Sequence, residues 1–258
     1  MKVGIVTAPE SLRGITDPAF EYVEANVQDF LKPEEPDDAF APNRNLASSL
    51  ERPIPAACCF LPPDLRVTGP SVDLGRFERY AATAFERAAQ VGIEVIVFGS
   101  GGARILPEGV SVDEGFRQFI EANRVIAPLA EKHGIFIVIE PLNQSECNFI
   151  NSPTDGARVV EAVDHPNIKL LVDFFHMLRE GQSPQEILDW GPIIHHAHLA
   201  EKDERTAPGV KGDDFRPFMR ALKSVGYDRL ISIESGWGDF AAEQKAAVDE
   251  VRHQLGFS

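Results

Sequence analysis

The sequence lacks a long apolar run and holds only three cysteines among its 258 residues. A membrane-spanning helix needs about 20 consecutive apolar residues, so we expect no membrane segment. Two of the cysteines, Cys58 and Cys59, are adjacent, which is not the spacing of a disulfide framework and favours a reducing compartment. The first residues, Met-Lys-Val-Gly-Ile-Val, have the pattern of a strand rather than of a signal peptide. We therefore expect a soluble, cytoplasmic protein.

Positive charge is also scarce. The chain has 25 Lys and Arg residues against 40 Asp and Glu residues, a formal net charge of −15. Proteins that bind nucleic acid draw much of their affinity from cations that neutralise phosphates, and this sequence has no run of Lys or Arg. The composition therefore argues against a nucleic-acid partner.

The dinucleotide-binding fingerprint Gly-x-Gly-x-x-Gly does not follow the first predicted strand. A different glycine-rich segment, Gly99-Ser-Gly-Gly102, follows the fourth, with another spacing. This segment is either a tight turn at the end of the strand or a contact to substrate or phosphate. The sequence alone leaves both interpretations open.

Eight strand-like runs alternate with helical segments along the whole chain. This alternation predicts a single (β/α)₈ barrel over residues 1–258, with an irregular excursion at about 33–53 and a short helix near 46–50. A doubly wound open sheet is the alternative, because periodicity does not prove closure. We place the strands at 2–7, 22–27, 54–60, 93–98, 135–140, 168–173, 193–200 and 230–234.

The fifth of these strands runs from Ile135 through four apolar residues directly into Glu140. A strand that is apolar on both faces is typical of a parallel strand buried between layers. Alternation places Phe136, Val138 and Glu140 on one face, with Ile135 on the other. A carboxylate at the end of such a strand needs a compensating partner, because an unpaired buried charge is too costly.

Three more predicted strands end in a residue that can bind metal: Asp173, His198 and Glu234. In a barrel the carboxyl ends of the strands form one rim, so these side chains and Glu140 can converge. Three carboxylates and one imidazole suit Mn²⁺, Mg²⁺ or Co²⁺ better than a thiolate zinc site does, and Zn²⁺ is also compatible. Mn²⁺ is our first choice. We therefore predict one divalent metal site, and the cation would compensate the buried carboxylates.

Other polar residues lie on the same strands. His196, two residues before His198, is expected to face inward one layer deeper, and His195 is expected to point towards the helices. Glu24 and Asn26 share one face of the second strand. We interpret His196 as a packing residue or a support for the metal ligands and His195 as structural, and we assign no role to Glu24 or Asn26.

Several motifs around the predicted ligands resemble a known family. The motifs are Glu140-Pro-Leu-Asn143 with Glu146 and Asn151, Asp173-Phe-Phe-His176-Met177, His198-Leu-Ala-Glu201 with Arg205 and Pro208-Gly209, and the final Glu234. They are similar to those of the xylose isomerase-like (β/α)₈ superfamily of sugar isomerases and epimerases, which includes ketose 3-epimerases, hydroxypyruvate isomerase and inosose dehydratase. The similarity covers nearly the whole chain.

The resemblance implies metal ligands at Glu140, Asp173, His198 and Glu234, and substrate contacts at Glu146, His176 and Arg205. It implies that a sugar, sugar phosphate or keto acid is isomerised or epimerised through an enediolate, with Glu140 and Glu234 transferring the proton. Compared with ketose 3-epimerases, the loop from residue 198 to 208 is one residue longer, which affects the assignment of Arg205. Homodimers and homotetramers are common in the family, and the sequence does not choose between them.

Three other functions are compatible with parts of this pattern. A metal-dependent dehydratase of a keto-polyol would share the enolising step and then expel a hydroxyl group. A hydrolase similar to the apurinic-site endonucleases would need more metal ligands and a grip on a polyanion, which 7 His and the net charge of −15 disfavour. A barrel that binds a sugar without turnover is the third, and the complete ligand set disfavours it.

Overall fold

The computed structural model describes residues 1–15 and 17–256. Eight parallel strands close into a barrel in which each strand pairs with the next and the last pairs with the first. This closure confirms the predicted (β/α)₈ barrel and excludes the open sheet. The strands are β1 (Lys2–Val6), β2 (Tyr22–Asn26), β3 (Ala56–Cys58), β4 (Val95–Phe98), β5 (Phe136–Ile139), β6 (Ile168–Asp173), β7 (Ile194–Leu199) and β8 (Leu230–Ile233).

Helices follow the strands and cover the outside of the barrel. The segment after β1 forms a short 3₁₀ helix, Pro9–Gly14, as its glycine and proline content predicts. Within the described residues the α-helices are α1 (Asp37–Ser49), α2 (Leu74–Val91), α3 (Gly101–Arg104), α4 (Val112–His133), α5 (Pro153–Val163), α6 (Phe174–Arg179), α7 (Gln185–Trp190), α8 (Arg216–Ser224) and α9 (Phe240–Gly256). None of these helices is long and apolar enough to cross a membrane.

The predicted irregular excursion at 33–53 is wrong, because most of it is the 13-residue helix α1, and the short helix predicted near 46–50 is only the last turn of α1. The face of this helix that carries Phe40 and Leu46 is buried. Its start is held by Arg87 of α2, which donates to the Asp37 carboxylate at 2.7 Å and to the carbonyl oxygen of Glu35 at 2.8 Å. Proline and acidic residues are common in loops, and this composition concealed the helical spacing of the apolar residues.

Alternation along β5 separates two apolar layers. Ile137 and Ile139 belong to the main core with the apolar faces of the helices. Val138 belongs to a smaller cluster with Val97 of β4 and Leu171 of β6, which fills the inside of the barrel. The predicted facing of this strand is therefore confirmed, and it directs Glu140, two residues after Val138, towards the barrel mouth.

Candidate active site

The four predicted metal ligands converge at the carboxyl-terminal mouth of the barrel. Glu140 directly follows β5, Asp173 ends β6, His198 lies in β7 and Glu234 directly follows β8. One nitrogen or oxygen atom from each of the four lies within 4.8 Å of those of the others, and all but Glu234 are buried. These side chains, which we call the Glu/Asp/His cluster, could hold a metal ion.

Distances within the cluster centre on one imidazole nitrogen. Nδ1 of His198 lies 3.1 Å from Oε2 of Glu234 and 3.3 Å from Oε1 of Glu140. Oε1 of Glu140 and Oδ2 of Asp173 are buried and have no hydrogen-bond partner. Buried polar atoms are nearly always satisfied, so two orphaned carboxylate oxygens facing one imidazole fit the need of a hard divalent cation.

The environment pushes the pKa values of the carboxylates apart. Burial raises the pKa of Asp173 to about 6 and also raises that of Glu140. Burial acts on Glu234 in the same direction, but the positive charges of His198 and Arg205 outweigh it and lower its pKa to about 2. Burial would lower the pKa of His198, but the surrounding carboxylates, Glu24 first, outweigh it and raise that pKa. Without a cation, the imidazolium and guanidinium supply the positive charge.

Glu140 is positioned by the segment after β4. Arg104 is fully buried and donates to the carbonyl oxygens of Glu140 at 2.7 Å and Phe98 at 3.1 Å. A Cβ atom on Gly99 would lie 2.0 Å from Oε2 of Glu140, so only glycine leaves room for the carboxylate. Of the two interpretations of Gly99-Ser-Gly-Gly102, the structure shows the tight turn, which passes through Ser100 at φ +40° into α3.

The three predicted substrate contacts surround the cluster. Arg205 donates from Nη2 to Oε2 of Glu234 at 2.5 Å, and its Nη1 lies 3.5 Å from Oε1 of Glu146. Nδ1 of His176 accepts from the backbone N–H of Asn143 at 3.1 Å, which leaves the proton on Nε2. That Nε2 lies 3.5 Å from Oδ2 of Asp173. Burial lowers the pKa of His176, so this ring is a neutral donor.

The loop that carries Arg205 is held by Glu201, which the sequence analysis placed only within a motif. The Glu201 side chain is buried and accepts from the backbone N–H groups of Gly209 at 2.9 Å and Gly212 at 2.8 Å. It also accepts from the hydroxyl group of Thr206 at 2.9 Å. Glu201 therefore holds the loop in place. The guanidinium of Arg205, on this loop, lies 4.5 Å from the ring centre of Phe175.

Glu24 is a site residue that the sequence analysis did not assign. It is fully buried on β2, and its carboxylate lies 2.9 Å from Nε2 of His198 and 2.8 Å from Nε2 of His196. Burial would raise the pKa of Glu24, but the two imidazoles outweigh it and hold that pKa below its usual range. The available signal was a charged residue in the middle of a strand, between Val23 and Ala25.

The predictions for the two other histidines of β7 have different outcomes. His196 faces inward one layer below His198, as predicted. The prediction that His195 points towards the helices is wrong, because its ring stacks on Phe136 at 4.0 Å at the amino-terminal end of the barrel. The cause is a register shift between Leu170 and Leu171 of β6, where β7 has one extra residue.

Cavities lie at both ends of the barrel. One, of about 580 Å³, is lined by strand starts such as Lys2, Tyr22 and Leu230, far from the Glu/Asp/His cluster. A cavity of about 320 Å³ lies over the ends of β1 to β3. Ile5 pairs with Ile233, so the end of β1 that lines this second cavity is beside Glu234. The second cavity therefore lies at the same end of the barrel as the cluster.

Sequence relatives are sugar epimerases and isomerases by name. D-psicose 3-epimerase from Ruminiclostridium cellulolyticum is 32% identical over 116 residues, which cover 45% of this chain and 39% of that protein. 3-Dehydro-D-guloside 4-epimerase from Escherichia coli is 27% identical over 137 residues, which cover 53% and 51%. The chain thus spans about half or less of the length of these curated relatives.

Solved structures show the same fold over nearly the full length. A D-psicose 3-epimerase crystallised in the presence of D-fructose superposes with a TM-score of 0.81 at 20% identity and covers 100% of this chain and 98% of that one. The IOLI protein, solved with a zinc atom, gives 0.73 at 16% identity and covers 98% and 96%. The profile of one family, described as xylose isomerase-like TIM barrel, matches residues 19–255. The chain therefore belongs to the xylose isomerase-like TIM barrel family.

Proposed function

We propose that the protein is a divalent-metal-dependent isomerase or epimerase of a sugar, acting through an enediolate. The observation that carries this proposal is the Glu/Asp/His cluster, in which Glu140 and Glu234 both approach Nδ1 of His198. Glu140, Asp173, His198 and Glu234 would hold the cation, for which Mn²⁺ is our first choice. A cation there would polarise the substrate carbonyl group and stabilise the negative charge that develops when the α-proton leaves.

Glu140 and Glu234 are the groups proposed to move the proton. One carboxylate accepts it from the carbon next to the carbonyl group and the other returns it, and the direction of the reaction decides which acts first. Delivery to the opposite face of the enediolate gives the epimer. A general acid or base of this kind contributes about 10²- to 10⁴-fold to the rate.

His176 and Arg205 are proposed to hold the substrate. The Nε2–H of His176 is buried, has no hydrogen-bond partner and points towards the cluster, so it can donate to a substrate oxygen. Arg205 is partly exposed and lies between Glu234 and Glu146. Its free N–H groups can donate to a hydroxyl group further along the sugar. Glu146, at the rim, can accept from another.

The cavity beside Glu234 favours an uncharged substrate. Its polar lining includes Thr7, Glu10, Asn26 and Asp29, and none of its lining residues is Lys, Arg or His. Phosphate and carboxylate groups are recognised by cations, so two carboxylates here disfavour a sugar phosphate or a keto acid. Hydroxyl groups can donate to these acceptors. A free ketose therefore fits this cavity better than its phosphate.

A panel assay tests this proposal. The Mn²⁺-loaded protein is incubated with free ketoses, their terminal phosphates, short 2-keto acids and keto-inositols, and the products are identified by mass and by NMR. We expect an isobaric product from a free ketose. Loss of water with a dicarbonyl product would instead establish the dehydratase alternative on the same enolising site. Preference for a phosphate or a keto acid would contradict the substrate assignment.

A further inference from the structure

We infer that Glu24 is a positioning residue that determines which nitrogen of His198 faces the metal site. Glu24 has no place in the proton transfer proposed above, although it is fully buried in the middle of the barrel. The inference rests on the proposed metal site. It assigns to this chain a carboxylate–histidine–metal arrangement in which Glu24 contacts neither the cation nor the substrate.

The geometry gives the two nitrogens of His198 different neighbours. Nε2 lies 2.9 Å from Oε1 of Glu24, whereas Nδ1 lies 3.1 Å from Oε2 of Glu234 and 3.3 Å from Oε1 of Glu140. An ionised carboxylate accepts hydrogen bonds and cannot donate them, so Nε2 must keep its proton. When a cation binds, Nδ1 is the nitrogen that presents a lone pair to it.

Glu24 is itself held in place by a chain of hydrogen bonds through the barrel. Its other oxygen, Oε2, accepts from the hydroxyl group of Ser232 at 2.5 Å and lies 2.8 Å from Nε2 of His196. The hydroxyl oxygens of Ser232 and Tyr22 are 2.7 Å apart. Both partners of Oε2 are fully buried, so Oε2 is occupied and Oε1 is left for His198. This network orients the carboxylate towards the ring.

A second metal ion is the competing explanation, because Glu24, His196 and His198 also bring potential ligand atoms together. These atoms already satisfy one another at 2.8 and 2.9 Å, which are hydrogen-bond distances. All three side chains are fully buried, and His198 would have to serve two ions. We therefore expect one metal ion per chain and assign the three residues to a hydrogen-bonded network.

The first test is Glu24→Gln, measured by calorimetric titration of the metal-free protein with Mn²⁺. The amide can donate to Nε2 of His198 and so favours the tautomer with its proton on Nδ1. We expect Mn²⁺ affinity to fall about 10- to 100-fold, the range for loss of a group that hydrogen-bonds to a metal ligand and orients it. Ser232→Ala is the matched control, because it removes one bond to Oε2 and leaves the contact with His198. It is expected to change the affinity less than Glu24→Gln does.

A second measurement needs no variant. In the wild-type protein loaded with Zn²⁺ and labelled with ¹⁵N-histidine, we expect NMR to find the His198 proton on Nε2 and Nδ1 bound to the metal. A proton on Nδ1, or equal losses of affinity in Glu24→Gln and Ser232→Ala, would overturn the role of Glu24. Binding of two ions per chain, with one lost in Glu24→Gln, would establish the second metal site instead. A wild-type protein that binds no divalent cation would overturn the proposed function itself.

Discussion

Glu140 and Glu234 share one neighbour, since their carboxylate oxygens lie 3.3 and 3.1 Å from Nδ1 of His198. They reach it from strands on different sides of the barrel, β5 and β8. Their environments differ, because burial raises the pKa of Glu140 whereas His198 and Arg205 hold that of Glu234 low. The proposed proton transfer depends on this arrangement, in which two carboxylates lie beside one candidate cation position.

Replacing either carboxylate by its amide should abolish turnover. Glu140→Gln and Glu234→Gln each remove a proton-transfer group and a metal ligand, so we expect kcat to fall by at least about 10²-fold. Circular dichroism should show that the barrel persists. Glu121→Gln, on the exposed face of α4, is the control and should retain wild-type kcat. An active variant at position 140 or 234 would remove that residue from the mechanism.

Metal affinity should rise with pH. The pKa of Asp173 is raised to about 6, and those of Glu140 and His198 are also raised, so the metal-free site holds protons that a cation must displace. Below pH 6 these protons compete with the metal, and above it the competition from Asp173 ends. Calorimetry in two buffers of different ionisation enthalpy should show proton release on Mn²⁺ binding. Affinity that stays constant between about pH 5 and pH 8 would contradict this charge assignment.

Removing the guanidinium of Arg205 should weaken the contact with the substrate and also raise the pKa of the Glu234 carboxylate. Arg205→Ala leaves Glu234 without its 2.5 Å partner, and burial then raises the Glu234 pKa. We expect kcat/KM to fall about 10- to 100-fold, as a charged hydrogen bond contributes about 1.5 to 3 kcal/mol. Arg205→Lys keeps the positive charge but loses the planar guanidinium group, which can donate two parallel hydrogen bonds. We therefore expect kcat/KM to fall less in Arg205→Lys than in Arg205→Ala. Equal kinetics in the wild type and the alanine variant would place Arg205 outside the site.

Gly99→Ala should displace the Glu140 carboxylate. The added Cβ atom would lie 2.0 Å from Oε2 of Glu140, so the side chain must move away from His198. We expect weaker Mn²⁺ binding and lower kcat. Gly75→Ala near the start of α2 is the matched control, where the new Cβ would lie at ordinary contact distances, 3.4 Å from Nη1 of Arg79 and 3.5 Å from Oδ1 of Asp73. That control should retain activity and gain about 0.5 to 1 kcal/mol of stability. Normal metal binding by Gly99→Ala would contradict the packing argument.

The sequence predicted the barrel and the four converging side chains because both follow from regular patterns. The alternation of residues along a strand and the position of the strand's end are enough to predict that Glu140 and Asp173 lie on one rim, whatever the loops do. The role of Glu24 depends on contact between β2 and β7, which no local pattern reveals. His195 was misplaced because a register shift changes the facing of a strand residue by one position.

Helix α1 was missed for a related reason. Its proline, Pro42, and its two aspartates are typical of a loop, and the hydrogen bonds from Arg87 that hold its start come from a distant part of the chain. Tertiary contacts of this kind override local composition. The glycine-rich turn after β4 was ambiguous for the same reason, since only the position of the Glu140 carboxylate shows why Gly99 must be glycine.

Hydrogen–deuterium exchange is the most direct test of proton transfer by Glu140 and Glu234. The Mn²⁺-loaded protein is incubated in D₂O with a panel of free ketoses, and NMR reports deuterium at the carbon next to the carbonyl group. We expect exchange that needs the metal and is lost in both Glu140→Gln and Glu234→Gln. Exchange that persists in the metal-free protein or in either variant would contradict proton transfer by these two carboxylates at a metal site.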